Sequence, residues 1–244
     1  MNNSQHTTMD DNTMQFIKSY PKKWYIQPEN VQWNSNQHLD VLYSSAYRQL
    51  LKLYHTSDEN AKLIKEHILD KIENKVLVDL WCGNYNANVS ALAYQSNAKA
   101  YIGIDVNVDM TEYDDKILKW YLIEQYKLSE HIRLHSTMIR TVFDNFENFL
   151  KKAPDKAWHN FTINGLELTN SKNSMREHLE RIMIPGNIIL ANTTENIDIS
   201  DIIVWPHKHT KIQRIYGFDS LHVYEKLDGK IKKTQEEIIV TLER

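Results

Sequence analysis

Two carboxylates and one glycine carry the chemistry most legible in this chain. Asp79 ends the apolar run Val76-Leu77-Val78, and Gly83 follows it in Leu80-Trp81-Cys82-Gly83-Asn84-Tyr85. Asp105 ends a second run, Ala100-Tyr101-Ile102-Gly103-Ile104. A glycine between a buried strand and a helix lets backbone approach a ligand closely, and the helix N-terminus beyond it offers unpaired N–H groups. A carboxylate about 20 residues past such a turn is placed to accept both hydroxyls of a ribose. His159 and Glu167 bracket a further run, Phe161-Thr162-Ile163, and are the general-base candidates by position. Cys82 reads as a small buried residue rather than a nucleophile. His207 and His209 in Trp205-Pro206-His207-Lys208-His209 invite a metal or anion reading. No matching Asp/His set accompanies them, so the segment is expected to be a solvated loop and no metal is expected.

These residues need rigid elements to hold them. Short apolar runs bounded by turn residues mark strands buried on both faces. Val76–Leu80, Ala100–Ile104, His131–Leu134, Phe161–Ile163 and Gly186–Leu190 supply five. Helical periodicity lies between and after them, over Val89–Tyr94, Asp109–Tyr126, Thr141–Leu150 and Ser171–Met183. Strands alternating with helices mean βαβ units and a parallel sheet covered on both sides. Phe218–Leu227 and Ile238–Leu242, around Asp228-Gly229, read as a closing antiparallel pair. In such a sheet ligands bind at the carboxyl ends of the strands, beside the point where strand order reverses.

Ahead of the sheet lies a helical pattern over Leu39–Tyr54. A second helix follows Ser57-Asp58, with Ala61, Ile64, Ile68 and Ile72 on one face. The domain reading is a polar, disordered tail over 1–13, an N-terminal helical cap or lid over 14–74, and the sheet domain over 75–244. Within the cap, Tyr20, Trp24, Tyr25 and Trp33 form an aromatic segment. It suits a lid over a substrate, and it equally suits plain packing.

The chain has 244 residues, 41% of them hydrophobic and 25% charged, with a formal net charge of −3. That composition excludes disordered and collagen-like classes. Apolar runs are too short to cross a bilayer, so no membrane is expected. Slight acidity argues against a general nucleic-acid surface. The single cysteine excludes an internal disulfide and fits a reducing compartment. With no secretory pattern in the first residues, a cytoplasmic location is expected. Oligomeric state is left open.

From Lys75 onward the ordered motifs resemble the class I S-adenosylmethionine-dependent methyltransferases. Val78-Asp79-Leu80-Trp81-Cys82-Gly83-Asn84 looks like their first motif, and Tyr101-Ile102-Gly103-Ile104-Asp105-Val106-Asn107 like their second. Asn164-Gly165-Leu166 looks like the fourth, Ile184-Pro185-Gly186 like the turn before the fifth strand, and Tyr216-Gly217-Phe218 like the Gly-Phe turn before the sixth. Trp81 and Tyr85 stand where the family's first and third turn glycines stand. The family's third motif ends in an acid near the adenine, and the strand read here runs instead into His135-Ser136-Thr137.

The resemblance implies a Rossmann-like, doubly wound α/β fold. Its sheet would be seven-stranded and mostly parallel, with an antiparallel C-terminal strand. It implies S-adenosylmethionine as the cofactor, with Asp105 on the ribose and Val106 and Thr137 flanking the adenine. Trp81, Cys82 and Gly83 would pass beneath the methionine portion, Asp79 would orient it, and Asn164 would lie near the transferred methyl. The expected function is methyl transfer to a small-molecule acceptor. A methyltransferase-like binding or partner subunit without activity is one alternative. Transfer of another group from the same donor is a second.

Overall fold

The computed structural model describes residues 15, 16, 19, 47, 50, 51, 54, 58–80, 82, 87–105, 138–156, 160–164, 172–193, 199, 202–213, 220–229 and 234–239. Helix α1 (Asp58–Ile64) continues through one π-helical turn (Lys65–Leu69) into a last α-turn (Asp70–Ile72). The other helices are α2 (Ala87–Gln95), α3 (Phe146–Lys152) and α4 (Lys172–Ile182). The strands are β1 (Val76–Leu80), β2 (Ala100–Asp105), β3 (Met138–Phe143), β4 (Asn160–Asn164), β5 (Ile188–Thr193), β6 (His207–Gln213), β7 (Ser220–Lys226) and β8 (Thr234–Ile239).

They form one sheet in the order β3-β2-β1-β4-β5-β7-β6-β8. β1 to β5 run parallel, and β7 runs antiparallel to both β5 and β6. The order reverses between β1 and β4, so the crevice favoured for a ligand lies at the carboxyl ends of those two strands. The expected doubly wound α/β sheet is present. Its antiparallel strand is β7, and an eighth strand, β8, lies parallel to β6 at the edge.

Local sequence explains the joints. Asn74 and Asn97 take left-handed backbone angles (φ 57° and 55°) just after α1 and α2. Asparagine tolerates that region better than most residues, so each helix stops and its chain turns into β1 or β2. The Asn74 amide donates to the Asn97 carbonyl, and the Lys99 amide to the Lys75 carbonyl, which aligns the two strand starts. Lys226 on β7 donates to the carbonyls of Glu180 and Met183 and so caps the carboxyl end of α4. Arg181 does the same for α3 through Leu150 and Ala153.

Two apolar layers flank the sheet. On one face Val76, Val78, Leu80, Ile102, Ile104, Phe161, Ile163 and Ile189 pack with Phe149 and Leu150 of α3 and Leu179 and Ile182 of α4. On the other, Leu77, Tyr101, Ile188 and Leu190 pack with Ile64, Ile68 and Ile72 of α1, Leu92 of α2, and the helical Tyr47, Leu50 and Leu51. Thus Tyr47, Leu50 and Leu51 belong to one layer covering the sheet, while Phe16 lies on the opposite face with its ring 5.5 Å from Phe149.

The closing antiparallel pair expected over Phe218–Leu227 and Ile238–Leu242 is not formed: β8 pairs in parallel with β6, which separates it from β7. Two further expectations fail. β3 occupies Met138–Phe143, where a helix was expected to start at Thr141. The helix starts at Phe146 because Asn145 caps it, its side-chain oxygen accepting the Glu147 amide at 2.8 Å. Val142 fell by chance on the same three- to four-residue spacing as Phe146, Phe149 and Leu150. The expected strand over His131–Leu134 and helix over Asp109–Tyr126 lie outside the described residues. The second failure is the expected loop at His207-Lys208-His209, which is strand β6. Its polar residues are accommodated by pairing: the His209 ring stacks on Tyr224 across the ladder at 4.4 Å and shares a 2.9 Å hydrogen bond with His222.

Candidate functional site

The carboxyl edge is built from neighbouring strand ends. Asp79 is fully buried on β1, opposite Gly103 on β2 and Thr162 on β4. Its two oxygens are divided between those neighbours: one accepts the Thr162 hydroxyl at 2.5 Å, the other the Tyr101 hydroxyl at 2.9 Å. The Asp79 carboxyl group thus cross-links β2, β1 and β4.

Cys82 begins that turn. Its amide donates to the Ile104 carbonyl at 3.2 Å, extending the β1–β2 pairing, and its side chain is buried. It lies directly on Gly103. A Cβ there would stand 2.8 Å from the Cys82 sulfur and 3.0 Å from the Tyr101 hydroxyl oxygen. The glycine in Tyr101-Ile102-Gly103-Ile104-Asp105 is therefore a seat for the turn. Cys82 is placed as a small buried residue, its thiol set in the packing.

Asp105 is the last residue of β2 and largely buried. β3, beside it, ends at Phe143, paired with Asp105, and the next residue is Asp144. The Asp144 amide donates to the Asp105 carbonyl at 3.2 Å, so the two acids sit side by side at the edge. One Asp144 oxygen accepts the Asn145 amide at 2.9 Å and the other the Lys152 ammonium at 3.1 Å. Asp144 was missed because the third strand was sought too early. Its signal was present: an acid directly after Ile139-Arg140-Thr141-Val142-Phe143, one residue before a helix cap. β3 pairs Met138 with Ala100, the first residue of β2.

Asn164 is the last residue of β4, paired with Asn192 on β5, and therefore ends on the same edge. Asp79, Cys82, Asp105 and Asn164 thus come from three adjacent strands, β2-β1-β4, around the reversal of strand order. Trp81, Gly83, Val106, Thr137, His159, Glu167, Tyr20, Trp24, Tyr25 and Trp33 lie outside the described residues. His207 is buried on β6, and His209 and His222 form the pair described above, on the far side of β5 from this edge. Among the described residues no three His, Cys, Asp or Glu are grouped to hold a metal ion. Among them, too, no helix is long and apolar enough to cross a membrane.

No family model matches this chain. No curated protein matches it. Solved structures do. A protein described as a methylase from Haemophilus influenzae is 15% identical, with a TM-score of 0.42 over 68% of this chain and 88% of that one. An O-methyltransferase from Agrobacterium tumefaciens is 11% identical, with a TM-score of 0.45 over 80% and 86%. An rRNA methylase from Clostridium thermocellum is 17% identical, with a TM-score of 0.42 over 68% and 96%. These similarities are ones of fold.

Proposed function

We propose that this protein binds S-adenosylmethionine at the carboxyl edge of β1, β2 and β3 and directs its methyl group to a small-molecule acceptor. The observation that carries the reading is the adjacent pair Asp105 and Asp144, at the ends of β2 and β3 and joined through backbone. Acids now stand at all three strand ends where the methyltransferase pattern has them. The cradle fits as well: Gly103 leaves room for Cys82 to settle low over β2.

When bound, the donor supplies a sulfonium-activated methyl group. The chain's part is alignment, the main requirement of an in-line transfer. Asp105 holds the ribose hydroxyls, Asp144 and Val106 border the adenine, and Asp79 orients the methionine end above Trp81, Cys82 and Gly83. Asn164 borders the methyl. Where the acceptor must lose a proton, His159 or Glu167 takes it. Tyr20, Trp24, Tyr25 and Trp33 cover the acceptor. The net charge of −3 supports a small acceptor over a nucleic acid. A second reading, a methyltransferase-like binding or partner subunit without activity, is favoured by Tyr85 in place of a turn glycine.

Calorimetric titration with S-adenosylmethionine and S-adenosylhomocysteine tests the site. Asp105→Ala or Asp144→Ala is expected to weaken binding about ten- to a hundredfold, as loss of a hydrogen bond with a charged partner does. Binding of neither ligand by the wild type overturns the reading, and binding untouched by both substitutions overturns the placement. Tight binding with no methyl transfer to any tested acceptor selects the second reading.

A further inference from the structure

The carboxyl end of α3 is capped from α4, where Arg181 donates to the carbonyls of Leu150 and Ala153 at 2.8 Å. Lys152, the last residue of α3, reaches the other way. Its ammonium stands 3.1 Å from a carboxylate oxygen of Asp144, two residues ahead of the helix. Helical side chains lean toward the amino end, so a long stem at the close of a short helix can run back along it. Asp144 is thereby held at three points. Its amide donates to the Asp105 carbonyl, one carboxylate oxygen accepts the Asn145 amide, and the other faces Lys152. The first contact ties the backbone to β2, the second is local to the turn, and the third ties the carboxylate to the far end of α3. The Asp144 side chain is 13% exposed and that of Lys152 57%, so the carboxylate is the sheltered partner. A carboxylate has about four acceptor sites, so these two contacts leave room for a donor from a ligand.

We propose that Lys152 is a positioning residue for the adenosine end of the donor, acting through Asp144. The ammonium holds the Asp144 carboxylate in one orientation beside the end of β2, so the acceptor is in place before the ligand arrives. Ordering a side chain in advance removes part of the cost of binding. An ion pair with an exposed lysine contributes little to folding, so the consequence of this one is direction rather than stability. The inference rests on the reading that sets the adenine against Asp144.

Lys152→Met tests it, keeping a long stem and removing the charge. Two probes are titrated calorimetrically: S-adenosylhomocysteine, and 5′-methylthioadenosine, which keeps the adenosine and lacks the amino-acid end. At low salt both affinities are expected to fall together, about two- to fivefold. The gap from the wild type is expected to close towards 1 M salt, where the Debye length shrinks to about 3 Å. Lys152→Arg, which restores a cation, is expected to recover most of the loss. In an Asp144→Ala background Lys152→Met is expected to change nothing, the mark of a residue that acts through that carboxylate alone. The melting temperature of Lys152→Met is expected to stay near that of the wild type. A loss that persists in the Asp144→Ala background, that arginine does not recover, or that spares methylthioadenosine would each overturn the role of Lys152. A wild type that binds both probes while Lys152→Met matches it removes this inference alone. A wild type that binds neither probe removes the donor reading, and this inference with it.

Discussion

Phe161 and Thr162 are neighbours on β4, both fully buried, and they face opposite sides of the sheet. Phe161 belongs to the layer under α3 and α4. Across β1, β2 and β4 that layer is apolar throughout: Val76, Val78, Leu80, Ile102, Ile104, Phe161 and Ile163. Thr162 faces the other way, and its hydroxyl is spent on Asp79. Alternation along the strands puts Asp79, Tyr101, Gly103 and Asp105 on that same side. Asn160 joins them, its side chain linking the Lys71 carbonyl to the Ile188 amide. One set of strands thus has a dry face and a face where buried polar groups lie among apolar ones. An apolar layer can be assembled from any residues of the right size, whereas buried polar groups must be matched partner by partner. The polar face is where the fold has spent stability on position, and it is the face beneath the turn.

The largest effect expected from this contrast is on the dry side. Phe161→Ala should cost about 3–5 kcal/mol, through lost burial and the cavity left between β4 and the helices. Chemical denaturation measures it. Well below the melting temperature, affinity for S-adenosylhomocysteine should stay near that of the wild type. A variant that folds well but loses the ligand would show that the dry face also shapes the site.

Thr162→Val is the matched change one residue on. It keeps the shape and removes the hydroxyl from a carboxylate, at a cost of about 1.5–3 kcal/mol. Here ligand affinity should fall along with stability, because the freed Asp79 oxygen can swing. Thr162→Ser, which restores the donor, should recover affinity more fully than stability. If valine leaves S-adenosylhomocysteine binding intact, the two faces do not divide the work as described.

The dry face is also what the sequence displays best. β1, β2 and β4 are doubly buried strands, so their apolar runs stand out with no knowledge of their neighbours. Asp79 and Asp105 were legible because an acid ending such a run interrupts the pattern. Asp144 was not. Its strand, Met138-Ile139-Arg140-Thr141-Val142-Phe143, carries Arg140 and Thr141 and merges by spacing with the helix after it. Only the Asn145 cap separates the two. β6 was hidden for a related reason. His-Lys-His-Thr-Lys-Ile-Gln is polar by composition. What holds it is cross-strand pairing of His209 with Tyr224 and of Thr210 with Val223, which no local window contains. Tyr47 lies within the helical pattern read over Leu39–Tyr54 but off its apolar stripe, and nothing local marks its ring as buried.

The smallest expected effect separates Tyr47 from the rest of its layer by pH alone. Its pKa in the folded protein lies well above 10.0, the value expected in the unfolded chain. Below pH 10 both states keep the proton and stability owes nothing to this titration. Above pH 10 the unfolded chain releases it and the folded protein does not, so the unfolded state binds fewer protons and stability falls as pH rises. The loss grows as pH rises further above 10. Tyr47→Phe abolishes it. Lys75 and Lys226, whose pKa values burial lowers, act with the opposite sign, but both proteins carry them and they cancel in the difference. Denaturant unfolding of the two proteins at pH 8, 10 and 11 measures the gap. It should open only above pH 10, with the phenylalanine protein gaining relative to the wild type. A gap that is constant from pH 8 to 11 would mean that Tyr47 ionises in the fold as readily as in water, against its complete burial.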